Sequence, residues 1–241
     1  DDIPIQSGMI SKAIENAQKK MEGYHFDIRK RVVDYDDVVN QQREIFYARR
    51  LSIVRLPQAK EAFLQTKQIL SEIFADEVDN IFTPYLLQDE VSDDDKQHIL
   101  NDFKDLADDV LIVQQFKKLE PVTDLNDFLL HNDLENTKEL FLKIIAAIAS
   151  QKYQEFSVNL PELYKITALQ IMDELWTDHL DVMTDLREGI GLRGYAQLNP
   201  LVEYKNEAFG MFEKFIMTIN SQIAKRILKI RRVIQSTPSQ R

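Results

Sequence analysis

The first 56 residues carry apolar or small side chains at intervals that alternate between three and four positions. This spacing places them on one face of an α-helix, and no proline interrupts the chain between Ser7 and Leu56. The face comprises Ile10, Ile14, Ala17, Met21, Tyr24, Ile28, Val32, Tyr35, Val39 and Phe46, with Gln42 in its one polar position. We therefore predict one helix of about 45 residues, about 70 Å long. Since no compact domain of this size needs such a helix, we expect a strut that contacts several bodies.

Residues 57–158 show a different pattern, which begins at Pro57. The helical segments become shorter and are separated by Pro84 and by polar turns. Ser92 precedes three aspartates, a pattern typical of a helix start, because the hydroxyl caps the first N–H groups and carboxylates favour the positive end of the dipole. Asp133 is expected to cap another helix in the same way. We predict a small helical subdomain inserted between two segments of the scaffold.

Residues 159–241 predict two antiparallel helices joined by a short loop. Pro161 suits the first turn of one helix, and Asn199 followed by Pro200 is a cap followed by a first helical position. The first helix is expected to end at Gly189. Its apolar face comprises Leu169, Met172, Trp176, Leu180, Met183 and Leu186, and that of the second comprises Phe209, Phe212, Ile216, Ile219, Ile223, Ile227, Ile230 and Ile234.

The predicted fold class is therefore all-α. It consists of a long scaffold helix in residues 1–56, a helical wing subdomain in residues 57–158, and a two-helix finger with a C-terminal scaffold helix in residues 159–241.

The loop from Gly189 to Pro200 contains three of the six glycines of the chain within its first six residues. Glycine permits an exposed, sharply turned backbone. Such a loop can present apolar and aromatic side chains outward as a contact device, and the candidates are Ile190, Leu192, Arg193 and Tyr195. The alternative is that Leu192 and Tyr195 fold back onto the helices. The residues alone leave both interpretations open.

Charge is distributed unevenly over the chain, whose net charge is −10. Residues 76–109 hold twelve acids and two lysines, a block of −10 that disfavours nucleic-acid binding by the whole chain. The basic end comprises Lys225, Arg226, Lys229, Arg231 and Arg232. It can meet anionic lipid or an acidic partner, or it can be a solvated helix end whose cations favour the macrodipole.

The cysteine content, the length of the apolar runs and the first residues of the chain indicate where it can be located. No cysteine is present, which excludes disulfides and thiolate metal sites and fits a reducing compartment. No apolar run is long enough to span a membrane. The acidic start is not a signal peptide, and because the first methionine is Met9 we expect the chain to begin inside a longer protein.

Enzyme motifs are missing from the sequence. Residues 189–194 fit the spacing GxGxxG, but they follow an amphipathic helix where a dinucleotide site requires a strand, and the form GxxxxGK[ST] does not occur. No GxSxG or HExxH occurs either. The four histidines are expected to be ordinary surface or boundary residues: His25, His98, His131 and His179. We predict no catalytic site, no metal and no cofactor in this chain.

Two segments resemble the SecA family of preprotein translocases. The first, within residues 10–50, is AIENAQKKMEGYHFDIRKRVVDYDDVVNQQREIFYARR, which is similar to the long scaffold helix of that family. The second, within residues 163–215, is LQIMDELWTDHLDVMTDLREGIGLRGYAQLNPLVEYKNEAFGMFEKF, which is similar to its two-helix finger. Both are dense matches in the family's order, and the stretch between them corresponds by position to the helical wing.

The resemblance implies a role in ATP-driven protein export. In the family, ATP and Mg bind upstream motor domains, a preprotein-crosslinking domain precedes the scaffold, and the finger approaches the SecY channel. The implied location is cytoplasmic, peripheral to the inner face of the plasma membrane, with unfolded preprotein as substrate and anionic lipid as a further partner that the basic end permits.

The resemblance also implies residue roles. Tyr195 matches a finger-tip tyrosine that contacts preprotein, and Arg193, Leu192 and Ile190 belong to the same tip. Trp176 matches a tryptophan packed between finger and scaffold. The residues that match the coupling face toward the motor domain are Arg29, Asp27 and Asp36.

Some positions depart from the family pattern. Asn199 replaces a common aspartate, and His25 replaces the usual asparagine before Phe26. The competing hypothesis is a stand-alone helical adaptor, which would lack nucleotide-binding motifs upstream of Asp1.

Overall fold

The computed structural model describes residues 8–57, 60–86, 88, 91–120, 124–190 and 199–231. These residues form helices and turns, and no strand occurs among them, so the all-α prediction is confirmed. The helices are α1 (Gly8–Val54), α2 (Lys60–Phe82), α3 (Asp93–Leu106), α4 (Asp109–Leu119), α5 (Leu125–His131), α6 (Leu134–Phe156), α7 (Leu160–Ile190) and α8 (Pro200–Lys229), with a 3₁₀ turn at Ser157–Asn159. No described helix is long and apolar enough to cross a lipid bilayer.

Contacts divide the described residues into two compact units. Unit 1 comprises those of Asp1–Ala48 and Asp178–Glu213, and unit 2 comprises those of Arg49–Thr177 and Lys214–Arg241. The helices α1, α7 and α8 contribute residues to both units. The three-part division predicted from the sequence follows the order of the chain, and it stays a prediction.

The predicted helix starts are confirmed by their hydrogen bonds. The Ser92 hydroxyl accepts from the Asp95 N–H at 3.1 Å, while the Asp95 carboxylate accepts from the Ser92 N–H at 3.1 Å. Asp133 accepts from the N–H of Asn136 at 2.7 Å, and Asn199 accepts from the N–H of Leu201 at 3.0 Å. Each bond satisfies a donor that the first turn of a helix leaves unpaired.

The helices α2 to α6 form a helical insert with its own core in unit 2. Helix α6 packs along α2 and α4, and α3 packs against α2 and α5. At the centre, Phe141 stacks on Phe103 with ring centroids 3.7 Å apart and meets the edge of Phe82 at 5.5 Å. All three rings are fully buried. These three buried rings provide an apolar core for a segment that is otherwise rich in acidic residues.

Charged side chains of the acidic block pair with the basic end of α8 in unit 2. Asp105 accepts hydrogen bonds from Lys225 at 2.6 Å and from Lys229 at 2.8 Å. Asp108 accepts from the Nε of Arg231 at 2.6 Å. These contacts lower the pKa of Asp105, and for Asp108 they outweigh burial, so its pKa is lowered as well. Part of the basic end thus has its acidic partner within the same chain.

Helices α7 and α8 run antiparallel in unit 2, as predicted. Gln170 accepts from Arg226 at 3.3 Å and the rings of Trp176 and Phe215 lie 5.8 Å apart, so residue numbers fall along α7 as they rise along α8. In unit 1 the two helices are also in contact, with the rings of His179 and Phe212 5.8 Å apart. We call this pair of helices the arm.

Among the described residues, the apolar face predicted for α8 is wrong at Phe209, while Ile234 lies outside them. Phe209 is 64% exposed, whereas Ala208, Phe212, Phe215 and Ile219 are buried. The buried positions follow steps of four, three and four, and Phe209 lies about 100° around the helix from Ala208. Phe209 therefore points to solvent although its side chain is apolar.

Glu77 on α2 is the basis of a prediction about pH. Its side chain is 7% exposed, and its Oε1 has no hydrogen-bond partner among the described residues. Burial raises the pKa of this carboxyl, although Ser221 and the charge of Lys225 partly offset the effect. The ionised form therefore destabilises the folded state above the raised pKa, and this penalty disappears as pH falls to the ordinary range of glutamate.

Replacing Glu77 with Gln removes that penalty. The midpoint of thermal unfolding at pH 7 is expected to rise by about 2–4 °C, the shift that 1 kcal/mol produces in a chain of this size. The difference from wild type should shrink as pH is lowered toward 4.5 in calorimetric scans. Glu72→Gln, at an exposed position of the same helix, is the matched control. A gain that does not change with pH would contradict the assignment to Glu77 ionisation.

Candidate functional site

The tip of the arm lies partly outside the described residues. Leu192, Arg193 and Tyr195 fall there, so their roles stay predictions. Ile190 is described, and the expectation that it points outward is wrong, because its side chain is only 2% exposed. It is the last residue of α7 and continues the buried face of that helix, one turn after Leu186.

A buried cluster in unit 1 fastens the end of the arm from which the loop extends. The cluster comprises Met183, Leu186, Ile190, Tyr204 and Ala208, with Tyr35, Val38, Val39 and Met211 packed against it at partly buried positions. Tyr35 and Tyr204 are in ring contact, with centroids 4.8 Å apart. The end of α7 and the start of α8 therefore pack on the segment of α1 that the family resemblance singles out. A rigid base of this kind suits a loop that must be presented at a fixed place.

The three residues assigned to the coupling face occupy different surroundings. Asp36 accepts a hydrogen bond from Arg187 at 3.2 Å, so it contacts the end of α7. Asp27 lines a cleft with Asn199 and Pro200 at the start of α8. Arg29 is exposed.

Helix geometry explains this separation. Arg29 and Asp36 are seven residues apart and share a face of α1, whereas Asp27 is nine residues from Asp36 and faces the opposite side. The structure therefore does not bring the three together at one point. Asp36 and Arg187 are about half exposed, and such an ion pair contributes at most about 1 kcal/mol.

A buried hydrogen-bond chain joins the three helices of unit 1, and sequence reasoning missed it. The amide Nε2 of Gln42 donates to the carbonyl oxygen of Ala208 at 3.0 Å, so its Oε1 faces His179 and accepts from the ring Nε2 at 2.8 Å. His179 is 6% exposed, and burial lowers its pKa, so the ring is held neutral. The expectation of a surface or boundary histidine is wrong for His179. The signal was present, because Gln42 is the one polar residue on an apolar face.

Trp176 is buried on α7 in unit 2, where it packs against Phe215 of α8. Nearby, the guanidinium of Arg50 donates two bonds to the carboxylate of Asp173, at 2.8 and 3.0 Å. These contacts lower the pKa of Asp173. Phe215 of the arm thus forms one side of the surroundings of Trp176, and the predicted place of Trp176 between finger and scaffold stays a prediction.

The described part of the chain contains no group of three or more His, Cys, Asp or Glu side chains arranged to hold a metal ion. What it offers instead is a set of packed helices with a fastened arm and an exposed helix face. Such an arrangement can bind other protein surfaces and hold a loop in place.

Comparison with known proteins places the chain in a family. The model of the SecA wing and scaffold domain matches residues 4–231. A protein translocase subunit SecA of Desulfotalea psychrophila is 38% identical over 239 residues, which is 96% of this chain and 25% of that protein. The corresponding subunit of Halothermothrix orenii is 36% identical, covering 95% of this chain and 25% of that protein. The chain spans about a quarter of the length of these relatives, and it belongs to the SecA wing and scaffold domain family.

Proposed function

We propose that this chain is the transmission and substrate-contact part of an ATP-driven preprotein translocase. ATP and Mg would bind motor domains that lie elsewhere in such a protein. The scaffold helix α1 would carry their movement to the arm, and the arm would act on the preprotein at the mouth of the SecY channel. Membership of the SecA wing and scaffold family supports this assignment.

The observation that carries the proposal is the exposed first half of α1. Every residue from Gly8 to Val33 is exposed, including large apolar side chains that are 41–83% exposed. They are Met9, Ile10, Ile14, Met21, Tyr24, Phe26, Ile28, Val32 and Val33. Further along the same helix Gln42 and Phe46 are buried.

An apolar face that is exposed to water over seven helical turns is unfavourable. Burying each such side chain lowers the free energy by about 1.5–3 kcal/mol. The exposed face therefore favours a helix that docks against bodies beyond this chain. In the proposed translocase those bodies are the motor and preprotein-crosslinking domains, and Arg29 and Asp27 lie on the same exposed stretch.

The position of the arm supports the proposed path of coupling. Asp36 contacts Arg187 near the end of α7, and Tyr35 contacts Tyr204 near the start of α8. A rotation or shift of α1 in unit 1 would thus move the two ends from which the loop with Tyr195 extends. A packed interface transmits such small displacements because its side chains have few alternative arrangements.

The proposed location follows from the same role. A translocase acts at the cytoplasmic face of the membrane that holds its channel, as a peripheral protein. The basic end of α8 is a candidate for contact with anionic lipid, although Lys225, Lys229 and Arg231 already pair with Asp105 and Asp108.

The test is a substitution of Tyr195 by Ala in the full-length translocase. An aromatic ring binds peptides of different sequence through its large contact area. Its loss is therefore expected to slow preprotein transport in reconstituted vesicles by about three- to tenfold, which corresponds to a rise of up to about 1.4 kcal/mol in the activation free energy. ATP binding, measured by titration of a fluorescent nucleotide, should not change.

Tyr195→Phe keeps the ring and serves as the matched control, with transport expected near the wild-type rate. Normal transport by Tyr195→Ala would refute the role of the tip. Loss of ATP binding in the same variant would instead show that the substitution acts through the motor domains.

A further inference from the structure

Unit 1 contains a cleft of about 430 Å³ between α1, α7 and the start of α8. Its walls are the apolar side chains of Val39 and Met183, and its polar groups include Asp36, Arg43, Arg187 and Tyr204. Arg43 and Arg187 are exposed, whereas Tyr204 is fully buried. The cleft therefore has exposed cations and a buried hydroxyl-bearing ring.

The hydroxyl of Tyr204 is unusual because it is buried and has no hydrogen-bond partner among the described residues. Tyr204 lines the cleft together with Arg187 and Asp36. Burial raises the pKa of its hydroxyl, an effect that the charge of Arg187 partly offsets. Buried phenols in folded proteins nearly always find an acceptor. A buried tyrosine hydroxyl without an acceptor among these residues points to a ligand that accepts its hydrogen bond.

The charge of the cleft favours an anion. The guanidinium of Arg187 is paired with Asp36 at 3.2 Å. Arg43 donates to the neutral amide oxygen of Asn40 at 3.2 Å, and no carboxylate pairs with it among the described residues. Two cations therefore face one carboxylate, which leaves one positive charge for a ligand.

We propose that this cleft binds the carboxylate of an acidic side chain carried by another polypeptide segment. One carboxylate oxygen accepts from the guanidinium of Arg43 and the other from the hydroxyl of Tyr204, a charge-assisted arrangement. The methylene groups of a glutamate fit against Val39 and Met183. The volume lies within the range of small-ligand sites and is large enough for one side chain with its backbone. The cleft shares Asp36, Arg187 and Tyr204 with the proposed coupling path, but carboxylate binding there does not depend on the translocase function.

The experiment titrates the full 241-residue chain with N-acetyl-L-glutamate N-methylamide and follows the carbon-13 methyl signal of Met183. A saturable shift with a Kd in the millimolar range is expected. Arg43→Gln should raise that Kd at least tenfold, and Tyr204→Phe at least threefold. Arg55→Gln, which removes the same charge in unit 2, should leave it unchanged.

Two further probes decide the chemistry. The neutral N-acetyl-L-glutamine N-methylamide should not shift the signal, and inorganic phosphate should bind at least tenfold more weakly than the glutamate probe. Equal binding of phosphate or of the glutamine probe would overturn the proposal, as would the absence of any saturable shift.

The thermal stability of Tyr204→Phe without ligand is a separate check. Since the hydroxyl has no partner in the free protein, its removal should leave the midpoint of unfolding unchanged or raise it. A fall of several degrees would show that the hydroxyl is already bonded in the free chain, and the site would then have no vacant donor.

Discussion

Replacing Phe141 with Ala is expected to lower the free energy of unfolding of the helical insert by about 3–5 kcal/mol. Phe141 is fully buried on α6 and contacts Phe103 of α3 and Phe82 of α2. Its truncation leaves a cavity where three helices meet, and these helices carry many of the acidic side chains of the chain. Few other apolar contacts can compensate, because neighbouring rings cannot collapse into the space without losing their own packing.

Urea unfolding followed by the fluorescence of Trp176, the single tryptophan of the chain, measures the change in unit 2. Hydrogen exchange of the α6 amides locates it. Phe209→Ala is the matched control, since the same atoms are removed from a ring that is 64% exposed, and it should cost less than about 0.5 kcal/mol. Equal losses for the two variants would show that the aromatic centre does not stabilise the insert.

Much of the fold follows from local signals in the sequence. Ser92, Asp133 and Asn199 cap helices where they were expected, and Pro161 and Pro200 lie in first turns. These signals depend on groups within one turn of the chain, so no knowledge of the tertiary structure is needed. The single long helix α1 also follows from spacing alone.

Other features depend on which surface each helix meets, and they could not be predicted. Phe209 and Phe215 are equally apolar, yet only Phe215 is buried. The apolar residues of α1 before Asp34 look like a core face, although they are exposed in this chain. Periodicity identifies an apolar face but does not identify its partner.

The candidate site also has features that the sequence predicted and features that only the structure shows. Family resemblance assigned the tip and the coupling face, and the structure adds the contact of Asp36 with Arg187 and the burial of Ile190. The acidic block gains an explanation that composition could not give, since Asp105 and Asp108 pair with cations more than one hundred positions away. Pairs so far apart in the sequence cannot be predicted from the spacing of neighbouring residues.

The second large effect is expected at the buried pair of Gln42 and His179. Gln42→Leu removes the amide oxygen that accepts from the buried ring N–H of His179, and His179→Leu removes the ring N–H that donates to the amide oxygen of Gln42. Each loss is expected to cost about 1–3 kcal/mol. The double variant should cost less than the sum by about 1–2 kcal/mol, because the hydrogen bond between the two side chains is lost only once. Gln41→Leu, on the exposed side of the same helix, controls for helix propensity and should change stability by less than about 0.5 kcal/mol.

The same pair predicts a dependence on pH. Burial lowers the pKa of His179 in the folded state, so the unfolded chain binds a proton there first as pH falls. The stabilisation is complete above the ordinary pKa of histidine, about 6.5, and is lost progressively below it. His179→Leu should therefore flatten the decline in the free energy of unfolding between pH 7.5 and 5, measured by urea titration with circular dichroism. An unchanged slope, or an additive double variant, would mean that His179 does not act as a neutral donor to Gln42.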